Sequence, residues 1–234
     1  MKNLRILAVS FDTTIQPYEL QHFRGAVAQK VGLEHEWFHN HNNTTGSFHN
    51  RYPLIQYKLD TYKGQMRPML LCLDNAIEEA QHLFSQSDWS LQINKTDHNL
   101  KIAHLHIDSC RLNVWDSVFS YRLHKWQALN PENFEKYNTL TNSIARTRFL
   151  EQLLRNQILS FAQGVDWNLN PDFELRINNP IKEDWMDYKN QQKVLAFTLN
   201  FETTLSLPDF IGIGKGASRG LGVVRKNRNL SFQD

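Results

Sequence analysis

The chain has 234 residues, 41 % of them hydrophobic and 21 % charged. That suits one large globular domain or two small ones and excludes a disordered or fibrous chain. Lys plus Arg number 26 and Asp plus Glu 24, for a formal charge of +2, so a polyanion would have to be held by a local basic surface and not by a basic average.

Residues 4–11 alternate as a strand. Arg5 interrupts the apolar run there, so no signal peptide is expected. Pro17 opens a helical pattern to about Val31, with Leu20, Phe23, Ala26, Val27 and Val31 on one stripe. Residues 34–50 are rich in His, Asn, Thr and Gly and read as a long loop, a length that compact domains mostly reserve for function. Strands are expected over 53–59 and 65–73. The run Met69 to Leu73 is the longest apolar one and is too short to span a bilayer. Asp74 is an expected N-cap for a helix carrying Ile77, Ala80, Leu83 and Phe84. Residues 89–94 complete a β-α-β-β-α-β order, the ferredoxin-like motif.

The second half repeats the theme. Strands are expected near 99–109 and 112–127. A helical region follows from Pro131 to Gln163, broken near Thr139, with Leu150, Leu153, Leu154, Ile158 and Phe161 as its core stripe. Strands near 173–178 and 193–205 precede a glycine-rich segment. The expected architecture is α+β: tandem ferredoxin-like (RRM-like) domains over 1–96 and 97–234. Cys72 and Cys110 lie far apart without Cys-x-x-Cys spacing, so neither a disulfide framework nor a thiolate zinc site is expected.

Two stretches carry chemistry. Half of the ten glycines fall in one run: Gly212, Gly214, Gly216, Gly220 and Gly222. Lys215 and Arg219 supply charge within it and Ser218 a hydroxyl. From Ile211 to Arg228 there are five basic residues and no acidic one. Amides that converge beside such charges suit phosphates. No Gly-Lys-Ser/Thr opens a helix here, and no βαβ unit follows, so the run is neither a P-loop nor a dinucleotide fingerprint. The bland alternative is a passive turn between strands.

The other stretch is His39-Asn40-His41, flanked by His35 and His49. Two imidazoles can divide general-base and general-acid work near neutral pH. RNA cleavage by its own 2′-hydroxyl needs those two proton transfers and no metal. A zinc site is disfavoured, because the short separations offer few independent ligands. Ordinary exposed loop histidines are the bland alternative. His104 and His106, another His-x-His pair, read as structural.

Four stretches together resemble the CRISPR-associated endoribonucleases of the RAMP superfamily, in the branch with a glycine-rich loop. They are Phe23-Arg24-Gly25-Ala26, then His39-Asn40-His41 with Arg51-Tyr52-Pro53-Leu54-Ile55-Gln56-Tyr57-Lys58, then Ile158 to Gly164, then Leu207-Pro208-Asp209-Phe210 before the glycine run. The resemblance implies a sequence-specific enzyme that binds CRISPR repeat RNA and cuts precursor CRISPR RNA without metal or cofactor. Its products would be a 5′-hydroxyl and a 2′,3′-cyclic phosphate.

By the same resemblance, His39 and His41 are catalytic, and His35, Tyr52 or Lys58 assists them. Lys58 is the candidate for stabilising phosphorane charge. The five loop glycines, Lys215, Ser218 and Arg219 face RNA. Arg146, Arg148 and Arg155 are further candidate phosphate contacts, the last two on one helix face, with a merely solvated helix surface as the bland alternative. The alternative is an inactive RAMP-type subunit that binds guide RNA inside an effector complex, which would add effector subunits as partners. The division between base and acid stays open. A soluble cytoplasmic protein without membrane contact, monomeric or homodimeric, is expected.

Overall fold

A computed structural model describes residues 1–40, 51–187 and 193–227. The chain forms two compact units, Asn3–Cys110 with Ser218–Gly220, and Met1–Lys2 with Arg111–Ala217 and Leu221 onward.

The first unit begins with β1 (Lys2–Phe11) and, after a 3-10 turn at Pro17–Glu19, α1 (Leu20–Val31). Next come β2 (Ile55–Tyr62), β3 (Gln65–Leu73) and the short helices α2 (Ala76–Glu79) and α3 (Gln81–Phe84). A hairpin of β4 (Ser90–Ile93) and β5 (Thr96–Asn99) leads to β6 (Ile102–Leu112). The sheet order is β2-β3-β1-β6. If the hairpin is set aside, these are strands 2, 3, 1 and 4 of a ferredoxin-like β-α-β-β-α-β unit.

The fourth strand is therefore β6, not the stretch at 89–94. That stretch is short, and it pairs locally with its own neighbour through a turn at Asn94 and Lys95, both at positive φ. The first unit accordingly runs to Cys110, past the junction near 96 read from the pattern. Asp74 also differs from its expected role. It sits at φ 45° in a turn, and its carboxylate accepts the Arg5 amide proton at 3.0 Å instead of capping a helix. The core forms where the α1 stripe (Leu20, Phe23, Val27, Ala28, Val31) meets the sheet. Phe23 packs edge-on against Phe11 and Tyr57, with centroids 5.7 and 5.8 Å apart, a geometry that aromatic quadrupoles favour.

The second unit repeats the order with one substitution. β7 (Val114–Trp126) is followed by α4 (Pro131–Thr139) and α5 (Ser143–Gly164), then β8 (Leu175–Asp187), β9 (Lys193–Leu205) and β10 (Val223–Lys226). The helix break falls at 140–142, where Asn142 caps α5 through the Ile144 amide at 2.8 Å. The sheet order is β10-β7-β9-β8, all antiparallel, again strands 4, 1, 3 and 2. Where the motif has its second helix, this unit has the glycine-rich segment. Leu150, Leu154, Ile158 and Phe161 pack the α5 stripe into the core. No helix among the described residues is long and apolar enough to cross a membrane.

The glycine-rich segment is held by its own packing. Ile211, Ile213 and Ala217 are buried. Gly222 has φ 59°, and a Cβ there would lie 1.9 Å from the Ile213 carbonyl oxygen. Its amide donates to the Lys125 carbonyl at 3.0 Å. Gly222→Ala therefore meets both backbone strain and a collision with main chain, and should cost at least about 2 kcal/mol of stability. A thermal melt should show a fall of several degrees, whereas Gly25→Ala, with open space around its Cα, should not melt earlier than wild type.

Candidate active site

The chain leaves α1 at Gly32 and makes one 3-10 turn at Glu36–Phe38 that delivers His39. His39 is buried, and its Nε2 lies 2.7 Å from the Leu33 carbonyl oxygen. A carbonyl can only accept, so Nε2 carries a proton, and in the neutral ring Nδ1 carries the lone pair. Two donors fix the main chain beside the ring. The Arg24 guanidinium donates to the His39 carbonyl, and the Tyr57 hydroxyl to the Phe38 carbonyl at 3.1 Å. His41 lies outside the described residues, as does His49.

Arg24 comes from the solvent-side flank of the α1 stripe, one residue after Phe23. Burial is the main cause that lowers its pKa, and the charge of Arg219 lowers it further. Its Nε is buried with no hydrogen-bond partner among the described residues. The Arg24 guanidinium is thus held against the His39 carbonyl and within electrostatic range of Arg219, an arrangement suited to a phosphate.

Arg219 reaches this place through backbone pairing. β2 is an edge strand, and its Tyr57 amide donates to the Ser218 carbonyl at 2.9 Å while Tyr57 and Arg219 form a parallel bridge. The three residues Ser218–Gly220 belong to the first unit for this reason. Gly220, at φ 78°, lets Leu20 approach to 2.5 Å of where a Cβ would sit.

Lys58 and Tyr52 take up a different position. Side chains alternate along a strand, so Tyr57 faces α1 while Gln56 and Lys58 face the other side of the sheet. There the Gln56 side chain donates to the Tyr52 hydroxyl at 2.8 Å. Burial pushes the Tyr52 hydroxyl pKa up and brings the Lys58 amine down to about 7.

The remaining candidates divide. Arg155 does not present its guanidinium as a bare phosphate ligand. It donates to the Pro171 and Phe173 carbonyls and stacks over the Phe173 ring at 4.5 Å. Arg146 likewise bonds the Leu140 carbonyl and lies over Tyr137. Arg148 is exposed on α5. Gly212 and Gly222 are buried against the segment's own backbone, so their absent side chains serve packing. Gly214 has the Gln157 side chain 2.4 Å from its Cβ position, and Gly216 has Leu221 there at 2.7 Å.

Lys215 is exposed and lines a cavity of about 430 Å³ within the second unit, together with Lys193, Phe134 and Trp185. Trp185 is 58 % exposed and meets Phe134 edge-on at 5.9 Å. An exposed aromatic in a cavity that two lysines also line is a surface on which a base can stack. Sequence reasoning missed Trp185, Phe134 and Lys193 because they come from separate elements. It noticed Arg24 only as part of a family-like stretch.

Tandem ferredoxin-like units, the second with a glycine-rich segment in place of a helix, define the fold class. The Cas6b N-terminal domain profile matches residues 2–111 and the Cas6b C-terminal domain profile residues 113–227. The chain belongs to the Cas6b family. It is similar to a crystal structure of Cas6b at 25 % identity and TM-score 0.82, covering 97 % of this chain and all of that one. A second structure, a CRISPR RNA processing endoribonuclease Cas6b, aligns at 22 % identity and TM-score 0.70 with the same coverage. An uncharacterized protein of Methanocaldococcus jannaschii is 27 % identical over 112 residues, 47 % of this chain and 74 % of its own length.

The depressed Lys58 pKa has a consequence for stability. Between about pH 7 and its ordinary 10.5 the unfolded amine holds a proton that the buried one has released. The unfolded state then binds more protons, so stability rises with pH across that window. Lys58→Met should remove this rise and leave a flatter profile. Urea unfolding from pH 7 to 10 checks it, and equal slopes for both proteins would mean that the amine is not held deprotonated by burial.

Proposed function

We propose that this chain binds CRISPR repeat RNA in the cytoplasm and cleaves precursor CRISPR RNA by attack of a 2′-hydroxyl on the adjacent phosphorus. The 5′-oxygen leaves, giving a 2′,3′-cyclic phosphate and a 5′-hydroxyl. The observation that carries the reading is the tethered His39 ring beside the Arg24–Arg219 pair. Its Nε2–H is committed to Leu33, so Nδ1 is the basic nitrogen and His39 suits the general base. His41 then returns a proton to the leaving oxygen. A transition state with extra negative charge on phosphorus needs fixed cations. Arg24 and Arg219 suit this task better than Lys58, whose amine is half neutral near pH 7. The nucleophile belongs to the substrate, so neither a metal nor a protein nucleophile enters the steps.

His39→Ala should slow single-turnover cleavage of repeat RNA by at least about a hundredfold, the lower range of general acid–base contributions, with affinity little changed. A substrate with 2′-deoxy at the cut site should stay intact. Cleavage of that substrate would overturn the mechanism. Tight binding of the all-RNA substrate without cleavage by wild type would leave a guide-RNA-binding subunit as the reading.

The cavity and loop make separable contributions to affinity. Lys215→Ala should weaken binding and flatten the log–log salt dependence by about 0.7, the value for one single-stranded phosphate contact. Trp185→Ala should weaken binding with the slope unchanged, because stacking displaces no counterions. Filter binding across a salt series distinguishes them. Wild-type affinity in both variants would remove the RNA from this surface.

A further inference from the structure

Three side chains from three segments meet away from any step proposed above. His35 precedes the 3-10 turn at Glu36–Phe38, Glu79 ends α2, and His82 lies in α3. The ligand atoms of all three lie within 4.8 Å of one another. His35 Nδ1 is 4.0 Å and His82 Nε2 3.8 Å from the same Glu79 oxygen, Oε2. The two imidazoles lie face to face with centroids 3.8 Å apart and planes at 31°. Their side chains are 25 % and 35 % exposed, and that of Glu79 29 %.

One carboxylate serves two imidazoles in this cluster. An ion pair would satisfy one protonated ring and set a second positive ring against it at stacking distance. A divalent metal satisfies all three groups at once, since it takes neutral imidazole nitrogens and a carboxylate oxygen together. Two nitrogens and one oxygen suit Zn²⁺, Co²⁺ or Ni²⁺, whereas Mg²⁺ and Ca²⁺ prefer an all-oxygen shell. Tetrahedral bonds of about 2.0–2.1 Å place ligand atoms about 3.3 Å apart. The two distances to Glu79 need to close by under an ångström, and the imidazole–imidazole separation, within 4.8 Å, by at most about 1.5 Å. Partly exposed side chains can make that adjustment by rotating about χ1 and χ2, which also opens the stacked rings. A water would complete the four-coordinate shell.

We propose that His35, Glu79 and His82 form a binding site for one transition-metal ion of the Zn²⁺ type, with a structural role. The ion joins the segment after α1 to the α2–α3 pair. His35 lies four residues before His39, so the bound ion tethers the segment that carries the candidate base. It takes no part in the chemistry, and the site stands whether or not the chain cuts RNA. Sequence spacing argues against zinc in the histidine-rich loop for lack of independent ligands. The fold supplies them from residues 79 and 82.

The test uses the tag-free full-length chain, stripped with chelator and then titrated with Co²⁺ by visible absorption and with Zn²⁺ by calorimetry. One saturable site per chain is expected, with a Co²⁺ spectrum of four-coordinate type and a melting temperature that rises on loading. His82→Ala and Glu79→Gln should each weaken the site by at least about tenfold, since even outer-shell changes at metal sites cost that much. Glu79→Gln preserves shape and carries the test if His82→Ala fails to fold. His41→Ala should bind as wild type does. The proposal is overturned if wild type shows no saturable site, if His82→Ala and Glu79→Gln both bind normally, or if His41→Ala abolishes binding, which would place the ion in the histidine-rich loop.

Discussion

Tyr57 connects the elements that carry the candidate site residues of the first unit. It sits fully buried on the edge strand β2. Its ring packs against Phe23 and so fixes α1, which carries Arg24. Its hydroxyl takes the Phe38 carbonyl and so fixes the turn that carries His39. Its amide takes the Ser218 carbonyl and so fixes the stretch that carries Arg219. An edge strand must dispose of unpaired amides. Here the Ser218 carbonyl accepts one of them, and the same hydrogen bond holds the stretch that carries Arg219, a residue of the proposed site.

The electrostatics run against stability at the same place. Arg24 is partly buried, leaves Nε without a partner among the described residues, and feels Arg219 rather than a carboxylate. A fold under selection for stability alone would pair such a group. In the proposed site, Arg24 and Arg219 are set to receive an RNA phosphate. Rigidity is supplied by the neutral contacts around them, which is how a site keeps charges aimed without reorganising when substrate arrives.

The second unit shows how the same topology is adapted. Its sheet keeps the order of the first, but the segment joining β9 to β10 is glycine-rich rather than helical. Close approaches at Gly212 and Gly222 let this segment pack against its own backbone as tightly as a helix would against a sheet. Its glycines therefore serve two purposes. The buried ones let the segment fold onto itself, and the turn so formed carries Lys215 outward and Ser218–Arg219 toward β2.

The amino-acid pattern by itself determined the elements with strong local periodicity. The stripes of α1 and α5 and the concentration of glycine and basic residues after Ile211 are local facts, and each survives in the structure. The histidine-rich stretch stands out in the sequence by residue type alone. Tertiary structure decided what depends on partners distant in sequence. The 89–94 stretch alternates as well as any strand, yet pairs with its neighbour, and β6 takes the sheet position because only long-range pairing chooses between them. Arg24 looks like any helix-surface arginine until the His39 carbonyl and Arg219 are brought to it. Lys58 and Tyr57 are adjacent in sequence but face opposite sides of β2, and strand register determines which one meets α1. Glu79 and His82 join His35 only through packing of α2 and α3. Local propensity acts over a few residues, whereas charge proximity and ligand convergence are properties of folded distance, which no spacing in the chain encodes.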